Sequence, residues 1–279
     1  MSTTSAMESV PVFRRPYCRV LAALFVLTLR QLVRGRRLLV ISLLFALPAA
    51  VAAVINLASR VAPTAEQLQF ALVLNLIPHA LAPLAALLYA TGIIRDEVEE
   101  QTLTYLLLRP MPRWALYFVR LLATILVTSL LTAVFTAITF AVIALTAREP
   151  CGAGLVQQAL KTAALLSLVE VGYCSLFGLL GILMRRSLML GVAYIALFEG
   201  LFASLDTVAR RMTVMYYFRV LVLRWMHPSM GREWSIDLAT APHIRACVLT
   251  LLCAGLTLAV IASVIFAARE FRMKTPEGN

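Results

Sequence analysis

The chain has 279 residues, 61% hydrophobic and 14% charged, whereas soluble domains run nearer half apolar and a quarter charged. A water-soluble globular enzyme is therefore excluded. The net charge of +11 does not mark a nucleic-acid binder, because the arginines flank apolar runs instead of collecting on one soluble face.

Residues 1–37 hold Arg14, Arg15, Arg19, Arg30, Arg34, Arg36 and Arg37. Within 11–37, Val20, Leu24, Leu27 and Gln31 recur at roughly helical spacing among the arginines. That pattern predicts an amphipathic helix at the membrane surface. Such a helix either touches a partner or anchors on anionic lipid, where each basic residue adds about 1 kcal/mol. The basic stretch is too long for the n-region of a signal peptide, and no small-residue cleavage site closes a short apolar core.

A bilayer core takes about 20 apolar residues per helix. Six stretches qualify: 38–58 with Pro48, 68–94 with the run IPHALAP, 114–146, 155–184, 188–208 and 244–268. All are expected to be helical, since lipid offers no partner to an unpaired backbone group. The expected fold is an all-α membrane protein: a cytoplasmic segment 1–37, a six-helix transmembrane domain 38–268 and a cytoplasmic tail 269–279. Pro78 and Pro83 flank His79 and predict a local kink. Arg120 and Lys161 stand nearer span ends, where long side chains snorkel to the interface.

Arg95, Arg109, Arg113, Arg185, Arg186, Arg269, Arg272 and Lys274 fall on the same side as the N-terminal arginines if there are six spans. Both termini are then cytoplasmic. The connection after the fifth span disagrees, with Arg210, Arg211, Arg219, Arg224 and Arg232, and Arg245 just beyond. Long loops bias orientation less than short ones, and its run VMYYFRVLVLRWM predicts an outer interfacial or re-entrant helix.

Between the second and third spans stands RDEVEEQTLTYLLLRPMPRW, residues 95–114. Asp96, Glu97, Glu99 and Glu100 suit the positive end of a helix macrodipole. Leu103, Leu106 and Leu107 form one apolar stripe, and Pro110 and Pro112 end the helix. The acidic end argues against an anionic leaflet, so a protein partner is expected to cover the stripe.

Two acids fall inside apolar runs, Glu170 midway along the fourth and Glu199 midway along the fifth. An acid at the bilayer centre costs about 2.5–3.5 kcal/mol and usually faces a bundle interior or a wet cavity. Each either lines a translocation path or hydrogen-bonds to a neighbouring helix and holds packing. For Glu199 the bracing role is preferred. Of Cys18, Cys151, Cys174, Cys247 and Cys253, none forms a C-x-x-C pair or a zinc-like cluster. Cys151 and Cys247 flank outer loops, which leaves a disulfide open. Neither a metal site nor a catalytic constellation is expected.

The loop resembles the cytoplasmic coupling segment of type-2 ABC transporter permeases, in which an acidic residue precedes GTL, two leucines, a proline and an arginine. Glu97, Glu99, Thr102, Leu103, Leu106, Leu107, Pro110 and Arg113 stand in that order, with Gln101 in place of glycine and Pro112 in place of serine. The stretch YIALFEGLFASL, residues 194–205, resembles the fifth-span motif of some members. The resemblance implies an exporter subunit of the inner (plasma) membrane, paired with a second permease subunit as homo- or heterodimer. It also implies that the segment around Glu97, Glu99, Glu100 and the leucine stripe docks on a separate ATP-binding cassette ATPase. No G-x-x-x-x-G-K-[ST] loop is present, so ATP belongs to that partner and the chain needs no cofactor of its own. The competing readings are an ion- or proton-coupled transporter using Glu170 and Glu199 and, ranked last, a membrane scaffold or intramembrane enzyme.

Overall fold

The computed structural model describes residues 17–58, 63–93, 112–146, 154–184, 186–202, 210–211 and 213–268. Helix is the only regular structure among them. In chain order these are α1 (Tyr17–Arg34), α2 (Arg36–Ala58), α3 (Ala65–Ala90), α4 (Arg113–Thr146), α5 (Leu155–Leu183), α6 (Ser187–Tyr194, continued as Ile195–Phe202), α7 (Val214–Met226) and α8 (Ile244–Ala268). A short 3-10 turn, Ser229–Trp234, follows α7.

Local chemistry sets the ends. Thr64 starts α3 with a reciprocal cap: its hydroxyl accepts from the Gln67 N–H, and the Gln67 side chain accepts from the Thr64 N–H. Over Gln69–Leu81 the helix widens to π winding. Pro78 brings no N–H to this stretch, and the Asn75 side chain donates to the Phe70 carbonyl at 3.3 Å. Pro83, early in the α stretch that follows, removes a second backbone donor from the same helix. At the start of α4 the Pro112 carbonyl accepts from the N–H groups of Ala115 and Leu116.

α5 is the central helix, packed on α3, α4, α7 and α8. Tyr117, Tyr173, Phe177 and Phe266 are wholly buried around it. α2 and α8 lie outside and turn Leu39, Leu43, Leu57, Leu249 and Leu256 outward, as helices facing lipid should. Close approach is made at glycine. A Cβ on Gly181 would meet the backbone of Thr91 at 3.0 Å, and one on Gly178 the Tyr117 hydroxyl at 2.7 Å.

Five described helices are long and apolar enough to cross a membrane: Arg37–Ala58, Ala65–Ala90, Arg113–Thr146, Leu155–Leu183 and Ile244–Ala268. The expected fifth span, 188–208, is described only to Phe202, as two eight-residue pieces, the second of them π-wound. The rest of that stretch, residues 203–208, lies outside the described residues. The expected start of the second span, residue 68, falls inside α3, because the capping box lets polar Glu66 and Gln67 join the first turn.

Two other expectations shift. α1 exists, but Leu27 and Gln31 are exposed; the buried positions are Leu24 and Thr28, flanked by Leu21, Phe25, Leu29 and Leu32, and the helix packs on α4. Arg120 does not snorkel. It is buried and donates to the Ile93 carbonyl at 2.9 Å, tying α4 to the end of α3. Cys247 is a free, buried thiol. Cys151, the termini 1–16 and 269–279, and the loop 94–111 lie outside the described residues.

Candidate functional site

Of the residues expected to couple to an ATPase, Glu97, Glu99, Glu100, Thr102, Leu103, Leu106, Leu107 and Pro110 lie outside the described residues. Arg113 is described, exposed at the first position of α4. The second group, Glu170 and Glu199, is described in full, and both acids are completely buried.

Glu199 sits in the π-wound half of α6 and aims its carboxylate at the start of α7. Its Oε1 accepts from the Val214 N–H and its Oε2 from the Met215 N–H, both at 3.3 Å. The Tyr194 hydroxyl donates to Oε1 at 3.5 Å. The next donor, the Tyr216 N–H, is taken by the Thr213 hydroxyl at 3.2 Å, which itself donates to the Arg210 carbonyl at 2.8 Å. A helix leaves its first N–H groups without intrahelical partners. Here three of them are satisfied, two by an acid from another helix that also meets the positive end of the dipole. A buried acid placed this way is a brace between α6 and α7.

A second anchor fixes the turn after α7. Trp234 stacks on Phe70 of α3, with ring centroids 5.0 Å apart, and its indole N–H donates to Asn75 Oδ1 at 3.0 Å. The Arg219 guanidinium lies over the same indole at 5.7 Å, and Arg210 donates to the Trp234 carbonyl. Arg219 also stands near enough for its charge to act on Glu199 and His79. The arginines that disagreed with the expected orientation thus include two, Arg210 and Arg219, that hold this segment together.

Glu170 has a different setting, between α5 and α4. Its Oε1 accepts from the Thr132 hydroxyl at 3.0 Å and its Oε2 from the Cys174 thiol at 3.8 Å, and Thr128 Oγ1 lies 3.5 Å from that sulfur. Thr124, Thr128, Thr132, Thr136 and Thr139 are all buried, one per turn along one face of α4. Thr128 and Thr132 also donate to carbonyls four residues back, the usual way for a hydroxyl to satisfy itself in an apolar helix. Threonine at helical spacing inside an apolar run was the signal for this partner face.

Neither acid is among the described residues that line the two cavities at the end of the bundle where α5 and α8 begin. The larger, about 520 Å³, lies between α3, α4, α5 and the turn after α7, walled by Phe70, Leu74, Phe140, Gln158, Met226 and Met230 among others. No group of three His, Cys, Asp or Glu that could hold a metal ion occurs among the described residues.

Long apolar helices around a core in which buried acids tie helix to helix define a multi-pass membrane protein. A family model described as ABC-2 family transporter protein matches residues 22–228. The chain belongs to that family and is a membrane subunit of an ABC transporter. No match to a curated protein was found.

Proposed function

We propose that the chain is the permease of an exporter whose energy comes from a separate ATPase subunit, docked through the loop helix 95–113. The observation that carries this reading is the family match over 22–228, which spans the acidic, leucine-striped loop. Membership in a family of ATP-driven transporters, in a chain without a phosphate loop of its own, calls for an outside motor. Two such subunits pair, both termini face the cytoplasm, and ATP is used by the partner. Replacing Leu103, Leu106 and Leu107 with serine together abolishes co-purification of the ATPase while leaving membrane insertion intact. Unchanged co-purification overturns the reading.

The alternative, ion- or proton-coupled transport through Glu170 and Glu199, is less well supported. Both Glu199 oxygens are engaged on the α7 start, and Glu170 is enclosed between two helices of one subunit. Transport that persists without any nucleotide-binding partner would restore it.

A further inference from the structure

At the end of the bundle where α8 begins, a cavity of about 440 Å³ is lined by Arg224, His227, Leu238, His243, Ile244 and Arg245. Four of these six carry cationic or imidazole groups, and none of these described lining residues is acidic. Arg224 is held in place by two bonds from Nη2, to the carbonyls of Leu238 and Ala241, both 2.8 Å. Those acceptors are neutral, so they orient the guanidinium without cancelling its charge, and Nε is buried with no partner. The neighbouring acid, Asp237, is turned to its own loop: it accepts from the Ala239 N–H at 2.9 Å and from the Thr240 hydroxyl at 3.4 Å. The Arg210 and Arg219 side chains are occupied around Trp234; Arg224 and Arg245 instead meet at an open cavity.

We propose that this cavity is an anion site that takes a phosphate-bearing headgroup, with Arg224 and Arg245 supplying charge and His227 and His243 supplying further hydrogen-bond donors. With Nη2 held on two neutral acceptors and Nε buried, Nη1 is the edge of the Arg224 guanidinium left to donate a charge-assisted hydrogen bond to a phosphate oxygen. Leu238 and Ile244 give the cavity an apolar wall against which the carbon portion of such a headgroup can lie. Four of the six lining residues follow residue 228, where the family match ends, so the site is a property of this chain's outer turn and last helix. The phosphate group is carried either by a membrane phospholipid or by a soluble ion.

The test uses the full chain, purified without its ATPase, and follows thermal unfolding with two probes. One is inorganic phosphate against sodium chloride of equal ionic strength. The other is nanodiscs of phosphatidylglycerol, whose headgroup phosphate is net anionic, against phosphatidylcholine with the same acyl chains, whose choline cation offsets the phosphate charge that the arginines would recognise. The variant His227→Asn/His243→Gln/Arg245→Gln keeps Arg224 on its carbonyls, and asparagine tolerates the left-handed backbone at position 227 (φ 50°). We expect one probe or both to stabilise the native chain, and the triple variant to need about tenfold more probe for the same shift, as expected when the Arg245 charge and both histidine donors are lost together. Stabilisation by both probes identifies the phosphate group itself as the ligand; stabilisation by phosphatidylglycerol alone identifies the lipid headgroup. Failure of both probes to stabilise the native chain, or an equal response from the variant, overturns the proposal. Should the triple variant not fold, Arg245→Gln alone is expected to weaken the response about threefold, by partial loss of the charge, and no change in it is equally fatal.

Discussion

The two buried acids are chemically alike and differ entirely in what they hold. Glu199 satisfies two backbone donors that nothing else in the described structure reaches, so its removal strands them. Glu199→Ala is expected to lower stability by about 1–3 kcal/mol, the cost of burying unpaired polar groups. Glu199→Gln, which keeps one acceptor oxygen, should lose about half of that. Thermal unfolding in detergent measures both, and equal stability for alanine and wild type would refute the brace. Glu170 leaves less behind, because the single hydrogen of the Thr132 hydroxyl can turn wholly to the Thr128 carbonyl, 2.8 Å away. Glu170→Gln is therefore expected to change stability by about 0.6 kcal/mol, typical of hydrogen bonds inside membranes, and to leave ATP-driven transport standing. Abolished transport in a folded Glu170→Gln protein would favour the ion-coupled alternative.

Between elements, glycine and tryptophan decide how close the helices come. Gly181 lets α5 lie against the end of α3, where a Cβ would press on the Thr91 backbone, which cannot step aside as a side-chain tip can. Gly181→Val is expected to cost about 1–3 kcal/mol, as overpacking does, seen as a lower unfolding temperature. Trp234 joins the turn after α7 to α3 through a stacked ring and a hydrogen bond, with a cation above its face. Trp234→Ala should cost about 3 kcal/mol and open this segment to trypsin in native conditions. An unchanged cleavage pattern would show that the anchor is dispensable.

For the molecule as a whole, orientation remains the quantity to measure. The ends of α2 and α4 meet where Asn56 donates to Thr146 at 2.7 Å, and α3, α5 and α8 begin at that same end. Arg113 marks the opposite end. With the proposed orientation, Asp237→Cys reacts with an impermeant maleimide in intact cells, whereas Trp114→Cys reacts only after the membrane is opened. The reverse pattern would invert the topology and place the basic cavity in the cytoplasm.

Periodicity and apolar run length were enough to place five spanning helices, because lipid enforces helix wherever a long segment must satisfy its own backbone. They also gave VMYYFRVLVLRWM as a helix, which α7 matches residue for residue. Composition could not foresee the change to π winding within α6, which depends on three-dimensional context and not on hydropathy. Nor could it give the duties of the acids. Glu199 meets a helix that starts fifteen residues later, and Glu170 meets a threonine thirty-eight residues earlier. The lipid's demand on the backbone is local and therefore written in every window of the chain. The partner of a buried polar group is set by which helices pack together, and only the tertiary structure decided that.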